Sequence, residues 1–430
     1  MLRAPTNRAA AATRLGRLNR CARWSYRLKV ALAIRKEFGI IRTEKERMVR
    51  REIDSLLKEM ATTFPAVAIM GPRQCGKTTL ATAFFPQLPC VSLEDPDVRR
   101  AAIDDPRYFL SQYSEGAVLD EIQNAPELMS YLQGVIDAKP DVMGRFVLTG
   151  SRQFVLMESM TQSLAGRVGI LTMAPFTWSE WYGEGLSHTD VDEMMLRGLY
   201  PPVLSRKANP RLWYASYFQT YLERDVRQIL KIKDLSAFEL FVRLLAGRTG
   251  QELNLNSLGM DAGVSHTTAK AWISVLEASG LVFRLPPYFR NYNKRLVKSP
   301  KLYFADTGLA CWLMGIETPQ QLHGHPLYGA IFETNVVAEL RKRTLNHGRL
   351  LSLYYWRDNA KLEVDVIEDC LDGPRPVEIK SGKTYHEEWS RPMRRWLATV
   401  GCEANRARIV YGGDLMMRDK GIEVSPWFKL

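Results

Sequence analysis

Two periodicities run through the chain. Ile53, Leu56, Leu57 and Met60 recur at helical spacing until Phe64-Pro65 breaks the pattern. Ala66 to Met70 follows as an unbroken apolar run, the mark of a strand buried on both faces. Further strands are predicted at Pro89 to Leu93, Gly116 to Leu119, Arg145 to Thr149 and Val168 to Met173. Phe176 to Val226 reads as mostly helical, with a turn at Pro201-Pro202, and is expected to close as a lid. From Phe238 the helices shorten. Phe238, Phe241, Val242 and Leu245 form one apolar stripe, and Leu255 to Leu258 leads into the turn Ala262-Gly263-Val264. Ser265 then caps a helix reaching Leu276. The last part predicts a helix from Gly329 to Arg341 and strands over Lys361 to Glu368 and Arg375 to Lys380.

The turn after the first apolar run carries chemistry. Gly71-Pro72-Arg73-Gln74-Cys75-Gly76-Lys77-Thr78 fits G-x-x-x-x-G-K-[ST] at every specified position, and Thr79 continues into a helix. Glycines at both ends let the backbone curl so that N–H groups face a phosphate at the positive end of that helix. Lys77 is expected to reach the β- and γ-phosphates of ATP, and the Thr78 hydroxyl to ligate Mg²⁺. Read only as a strand-to-helix turn, the segment leaves Lys77 and Thr78 unexplained.

Strand tips supply the remaining parts. Val118-Leu119 ends in Asp120-Glu121, which predicts Asp120 on the metal side and Glu121 as the base that polarises the attacking water. The run ending at Thr149 continues into Gly150-Ser151-Arg152, where the Ser151 hydroxyl is expected to bond the γ-phosphate or that water. Arg167 is a candidate for neutralising transition-state charge, in its own chain or a neighbouring copy. Arg224 and Arg227 are weaker phosphate candidates, since a polar helix face explains them as well.

A second set of acids lies near the end. Glu333 shares a helix face with Val336, Val337 and Leu340, where a carboxylate is costly unless it is paired or ligates something. Alternation sets Asp365 opposite Leu362, Val364 and Val366, and puts Glu378 and Lys380 on one face of the next strand. Glu333, Asp365, Glu378 and Lys380 can therefore converge. In the middle, helix, glycine turn and helix are followed by an apolar run, the order of a winged helix-turn-helix. Such a module would point His266, Thr267, Thr268 and Lys270 at DNA, with Arg290, Lys294, Arg295, Lys298 and Lys301 as a basic wing on phosphates.

The set GPRQCGKTT, LEDPDVR, VLDEIQ, LTGSRQF, LAGRV and YLERDV resembles the AAA-type ATPases of bacteria and archaea that carry a C-terminal domain of unknown function. The resemblance covers nearly everything from Met48 onward. It implies an α/β additional-strand P-loop fold with a parallel sheet, Asp120-Glu121 as the Walker B pair and Ser151 as the sensor. Arg152 departs from the pattern, where a second small residue is expected. The last segment resembles the restriction-endonuclease-like fold, in which Asp365 and Glu378 would hold Mg²⁺ and Lys380 would activate water. Tyr354-Tyr355-Trp356-Arg357 would line the approach.

Charge changes the picture once it is located. The formal charge is +12, but ten Lys or Arg and no acid lie between Met1 and Lys36, which leaves +2 for the rest. The basicity belongs to the N-terminal arm. That arm reads as a transit-like sequence, a phosphate-binding tail, or translation upstream of the true start, and the third is favoured because Met48-Val-Arg-Arg-Glu begins a plausible helix. Six cysteines without a C-x-x-C pair argue against a zinc knuckle or disulfide scaffold and for a reducing, cytoplasmic setting. His323-x-His325 is expected in a solvated loop. No run reaches the length of a membrane span.

The expected organisation is a basic arm over 1–47, an AAA-type core with helical lid over 48–235, a winged helix over 236–310 and a restriction-endonuclease-like domain over 326–430. The expected activity is Mg²⁺-dependent ATP hydrolysis coupled to nucleic-acid binding or processing. The alternative is a nucleotide-dependent regulatory switch that binds protein or DNA without cutting. DNA and a second copy of the chain are the expected partners, and no membrane.

Overall fold

The structure, a computed structural model, describes residues 49–150, 162–221, 235–288, 299–349, 352–358 and 362–430. Strands β1 (Ala66–Met70), β2 (Cys90–Ser92), β3 (Ala117–Asp120), β4 (Phe146–Gly150) and β5 (Val168–Thr172) form one sheet in the order β2-β3-β4-β1-β5. Every pairing in it is parallel. Alternation sends Ala66, Ala68 and Met70 into one apolar layer with Leu119 and Leu148, and Val67 and Ile69 into another with Val118 and Val147. Because β4 lies between β1 and β3, their C-terminal ends meet at one edge, where ligands of parallel α/β sheets collect.

The strand predictions hold to within a residue or two. Pro201-Pro202 does not make a turn: the two prolines open the helix Pro201–Ser205, where a fixed φ and a missing N–H cost nothing. Tyr200, Val203, Tyr214, Tyr217, Phe218 and Tyr221 from these expected lid helices share a core with Phe238, Phe241, Val242, Leu245 and Leu276.

Three helices and a three-stranded sheet follow. Helix α1 (Leu235–Ala246) buries the predicted stripe. Helix α2 (Leu255–Asp261) turns at Gly263, whose φ is 68°, into α3 (His266–Ala278), where Ser265 accepts a hydrogen bond from Thr268 N. His266, Thr267 and Lys270 are exposed at its start. Strands β6 (Gln251–Glu252), β7 (Val282–Leu285) and β8 (Lys301–Phe304) pair antiparallel with β8 central.

Helix α4 (Tyr328–Asn346) lies against the final sheet. This comprises β9 (Leu353–Arg357), β10 (Glu363–Cys370), β11 (Gly373–Lys380), β12 (Arg408–Tyr411), β13 (Met417–Asp419) and β14 (Ile422–Pro426), in the order β13-β14-β12-β11-β10-β9. Pairing is mixed, parallel between β11, β12 and β14 and antiparallel elsewhere. Helix α5 (Ser390–Val400) inserts Met393, Trp396 and Leu397 beside Val364, Ile367 and Ile409. Glu339 of α4, fully buried, accepts from Trp178 N, and Lys342 donates to Phe176 O, so α4 is tied to the chain that follows β5.

Candidate active sites

The first site sits at the C-terminal edge of the parallel sheet. Gly71 begins the loop because nothing larger fits: a Cβ there would lie 2.2 Å from Met173 O. Gly76, at φ 97°, takes a left-handed turn that delivers the chain into the helix Lys77–Phe84. Lys77 is 5% exposed, and its Nζ donates to Gly71 O at 3.2 Å and Pro72 O at 2.9 Å. The ammonium is thus folded over the loop it is expected to close, with carbonyl oxygens where phosphate oxygens would be its acceptors. Thr78 Oγ1 donates to Asp120 Oδ1 at 2.6 Å, and Thr149 Oγ1 donates to the same oxygen at 2.5 Å. A hydroxyl, a carboxylate and an ammonium gathered by three adjacent strand ends are the donor set that Mg²⁺ and a polyphosphate require, so the residues fit that group.

Glu121 has φ 56°, a left-handed conformation that a side chain rarely adopts. Its N–H donates to Thr149 Oγ1 at 3.3 Å, and Gln123 Nε2 donates to Glu121 Oε2. The turn thereby directs Asp120 and Glu121 differently although they are neighbours. Arg51 stands behind the loop. Its guanidinium donates to Cys75 O at 3.2 Å and Ala174 O at 2.8 Å, and pairs with Glu180 at 2.9 Å.

The second site lies between β8, α4, β10 and β11. Asp365 Oδ2 accepts from Ile379 N at 2.7 Å, which pins the carboxylate to β11. Lys380 Nζ pairs with Glu378 Oε1 at 2.6 Å, whereas Glu378 Oε2 is buried with no hydrogen-bond partner among the described residues. Burial first, and then the charge of Asp365, push the Glu378 carboxyl up to about 8. Glu333 is raised by the same two causes, in that order. It accepts from Tyr303 Oη at 2.6 Å and Lys301 Nζ at 3.0 Å. Lys301 also meets Glu363 at 2.5 Å. Among the described residues, no three acidic, histidine or cysteine side chains stand close enough together to hold a metal ion.

Comparison with known proteins follows these segments. Residues 63–182 match the model of an AAA domain, 188–320 a domain of unknown function (DUF8612), and 328–430 another (DUF4143). The chain is 31% identical over 368 residues to the uncharacterized protein Rv2008c of Mycobacterium tuberculosis, across 85% of this chain and 80% of the relative. The uncharacterized protein Mb2031c of Mycobacterium bovis matches to the same extent. The chain belongs to their family. Among solved structures it is similar to the Walker-type ATPase of Pyrococcus abyssi, at 15% identity and a TM-score of 0.42, over 63% of this chain and 97% of that one. This family member is an AAA-type P-loop protein with a DUF4143 domain at its C-terminal end.

Within the AAA domain, Gly71 to Thr79, Asp120 and Glu121 come together as the sequence implies. Arg167 does not join them. It immediately precedes β5, and its carbonyl accepts from Ala66 N at the start of β1, so it occupies the sheet edge opposite the loop and cannot serve its own chain's site. Its guanidinium pairs with Asp137 at 2.6 Å. Ser151, Arg152, Arg224, Arg227, Arg290, Lys294, Arg295 and Lys298 lie outside the described residues. Lys301 is not part of a wing: it is 4% exposed and held between Glu333 and Glu363. The sequence assignment fails there because Lys301 follows a basic run, whereas β8 turns its first side chain inward. Arg51, Thr149, Tyr303 and Glu363 are the site residues that sequence reasoning misses. Thr149 alone had a signal, as a hydroxyl at the tip of a strand beside the loop strand.

His323 is exposed, as expected, but it ends the helix Pro319–His323 and is not in a loop, and it faces Asp192 3.2 Å away. No helix among the described residues is long and apolar enough to cross a membrane.

Proposed function

We propose that this protein hydrolyses ATP at the Gly71–Thr78 loop and couples the nucleotide state to a nucleic-acid-processing site in its C-terminal half. The convergence of Lys77, Thr78, Asp120 and Glu121 on one sheet edge carries the reading. Lys77, released from Gly71 and Pro72, would grip the β- and γ-phosphates. Thr78 and Asp120 would hold Mg²⁺, which lowers the cost of charge building on the phosphate oxygens. Glu121, kept apart from Asp120 by its backbone turn, would accept the proton of the attacking water. Arg167 would act only on a neighbouring copy, because its own site is at the far edge. Glu121→Gln is expected to retain ATP binding while turnover falls by about 10² or more. ATPase assays with a binding measurement check this, and normal turnover would remove Glu121 from the base role.

For the C-terminal half, the unpartnered Glu378 Oε2 beside Asp365 supports a restriction-endonuclease-like arrangement in which these two carboxylates receive a divalent cation. The three helices with their small sheet would be the winged helix presenting His266, Thr267, Thr268 and Lys270. Mg²⁺-dependent cleavage of DNA that disappears in Asp365→Ala is the expected result. A second reading is supported by Lys301, whose ammonium already compensates Glu333: the domain then binds and signals without cutting. No cleavage of single- or double-stranded substrates would decide for it.

A further inference from the structure

A cavity of about 530 Å³ opens on the other side of β11 from the acid site. Alternation along the strand makes this necessary: Glu378 and Lys380 point one way, and Arg375 and Val377, which line the cavity, point the other. Register brings Glu368 opposite Arg375, and Arg408 opposite both Val377 and Glu423. The C-terminal part of α4 covers the cavity with Leu340, Arg343 and Thr344.

Charge in the cavity is unbalanced. Five guanidinium groups line it, from Arg343, Arg349, Arg375, Arg406 and Arg408, against the side-chain carboxylates of Glu368, Asp372 and Glu423, with the last residue, Leu430, beside them. Asp372 serves two of them, Arg375 at 2.8 Å and Arg406 at 3.1 Å, and Glu423 serves Arg408 at 2.9 Å. Arg343 is drawn towards Glu339 at 3.0 Å and donates to Leu430 O at 2.7 Å. Arg349 has no ion pair among the described residues. Glu368 lies within the influence of Arg408, Arg375, Arg343 and Arg349 yet receives a hydrogen bond from none of them among the described residues. Burial raises its carboxyl above the ordinary value in spite of these arginines. Guanidinium groups gathered in a cavity repel one another unless an anion bridges them, and their planar forks match phosphate oxygens two at a time.

We propose that this cavity binds the phosphate monoester of a 5′-nucleotide, free or at the end of a strand, with Arg349, Arg375 and Arg408 on the phosphate. A volume of this size suits a nucleotide and exceeds what a bare inorganic ion would fill. A terminal phosphate carries close to two negative charges at neutral pH, which the guanidinium groups of the lining can offset. The site is separate from the ATP loop and from Glu378, and does not depend on cleavage at the acid site.

The test uses the full chain carrying Lys77→Ala, so that the loop contributes no nucleotide binding. Titration calorimetry with AMP and with a 5′-phosphorylated dinucleotide is expected to give a Kd on the order of 10–100 μM for at least one of them. Adenosine and the 5′-hydroxyl dinucleotide should bind at least about tenfold more weakly. AMP alone binding identifies a free nucleotide as the occupant, and the dinucleotide binding more tightly identifies a strand end. Adding Arg349→Ala with Arg375→Ala should weaken binding by about tenfold or more, with thermal melting checked alongside. Should that double variant melt early, Arg375→Lys alone is expected to weaken binding without loss of fold. Asp365→Ala should leave the affinity unchanged. Equal binding of adenosine, indifference to the arginine variants, or no binding of either phosphate at about 1 mM would overturn the proposal.

Discussion

Arg51 shows how much a single side chain contributes to the nucleotide loop. It carries no motif, yet its guanidinium joins the Cys75 carbonyl, the Ala174 carbonyl and the fully buried Glu180 carboxylate. Glu180 also accepts from Glu52 N and Thr177 N, so the arginine links the chain entering the sheet to the chain leaving it. Arg51→Met keeps the bulk and removes the charge, leaving Glu180 buried beside a thioether. A loss of about 3 kcal/mol in urea denaturation is expected, as for other buried pairs broken on one side. A loss below about 0.5 kcal/mol would mean that water takes over the role. The residues of the loop itself were legible in sequence because their spacing is set by phosphate chemistry. Arg51 was not, because its partners are backbone carbonyls brought near only by folding.

Between elements, the join that matters most is where α3 ends. Gly280 has φ 73°, and a Cβ there would lie 3.1 Å from Pro72 Cδ in the nucleotide loop. Ser279, one residue earlier, shares a hydrogen bond at 3.0 Å with Tyr221. The turn between α3 and β7 therefore touches the loop directly, a short route by which nucleotide can be felt in the middle of the chain. Gly280→Val forces a branched side chain into a left-handed conformation and against Pro72, at a cost of about 1–3 kcal/mol. If part of that strain is relieved by moving the loop, ATP affinity falls about fivefold or more. Equilibrium binding measures it, and unchanged affinity with lowered stability would show that the contact is only packing. At this scale the sequence does well on element type. It places the glycine turns and the Ser265 cap correctly, but it misreads Pro201-Pro202, since a proline pair opens a helix as readily as it makes a turn.

At the scale of the molecule, buried charge ties the distant parts together. Glu339 of α4 receives Trp178 N and pairs with Arg343 at 3.0 Å and Lys342 at 3.6 Å, in full burial. Burial raises its carboxyl above the usual value of 4.5, and the two cations do not bring it back. Above about pH 4.5 the unfolded chain releases this proton while the folded chain keeps it, so the folded state binds more protons and loses stability as pH rises. Glu339→Gln cannot titrate. Its stability penalty relative to the parent chain is expected to be largest below about pH 4.5 and to shrink as pH rises above that, as followed by denaturant titration at each pH. A penalty that grows with pH would place the carboxyl below its ordinary value. By itself the sequence determined the strands of the first sheet, the phosphate loop with its Asp-Glu strand end, and the shared face of Glu378 and Lys380, because periodicity and motif spacing act locally along the chain. Only the tertiary structure decided that Arg167 lies at the wrong edge for its own site, that Lys301 is a buried counter-ion, and that arginines from four separate stretches meet behind β11. Strand polarity, burial and long-range pairing are properties of the packed chain, and no local pattern encodes them.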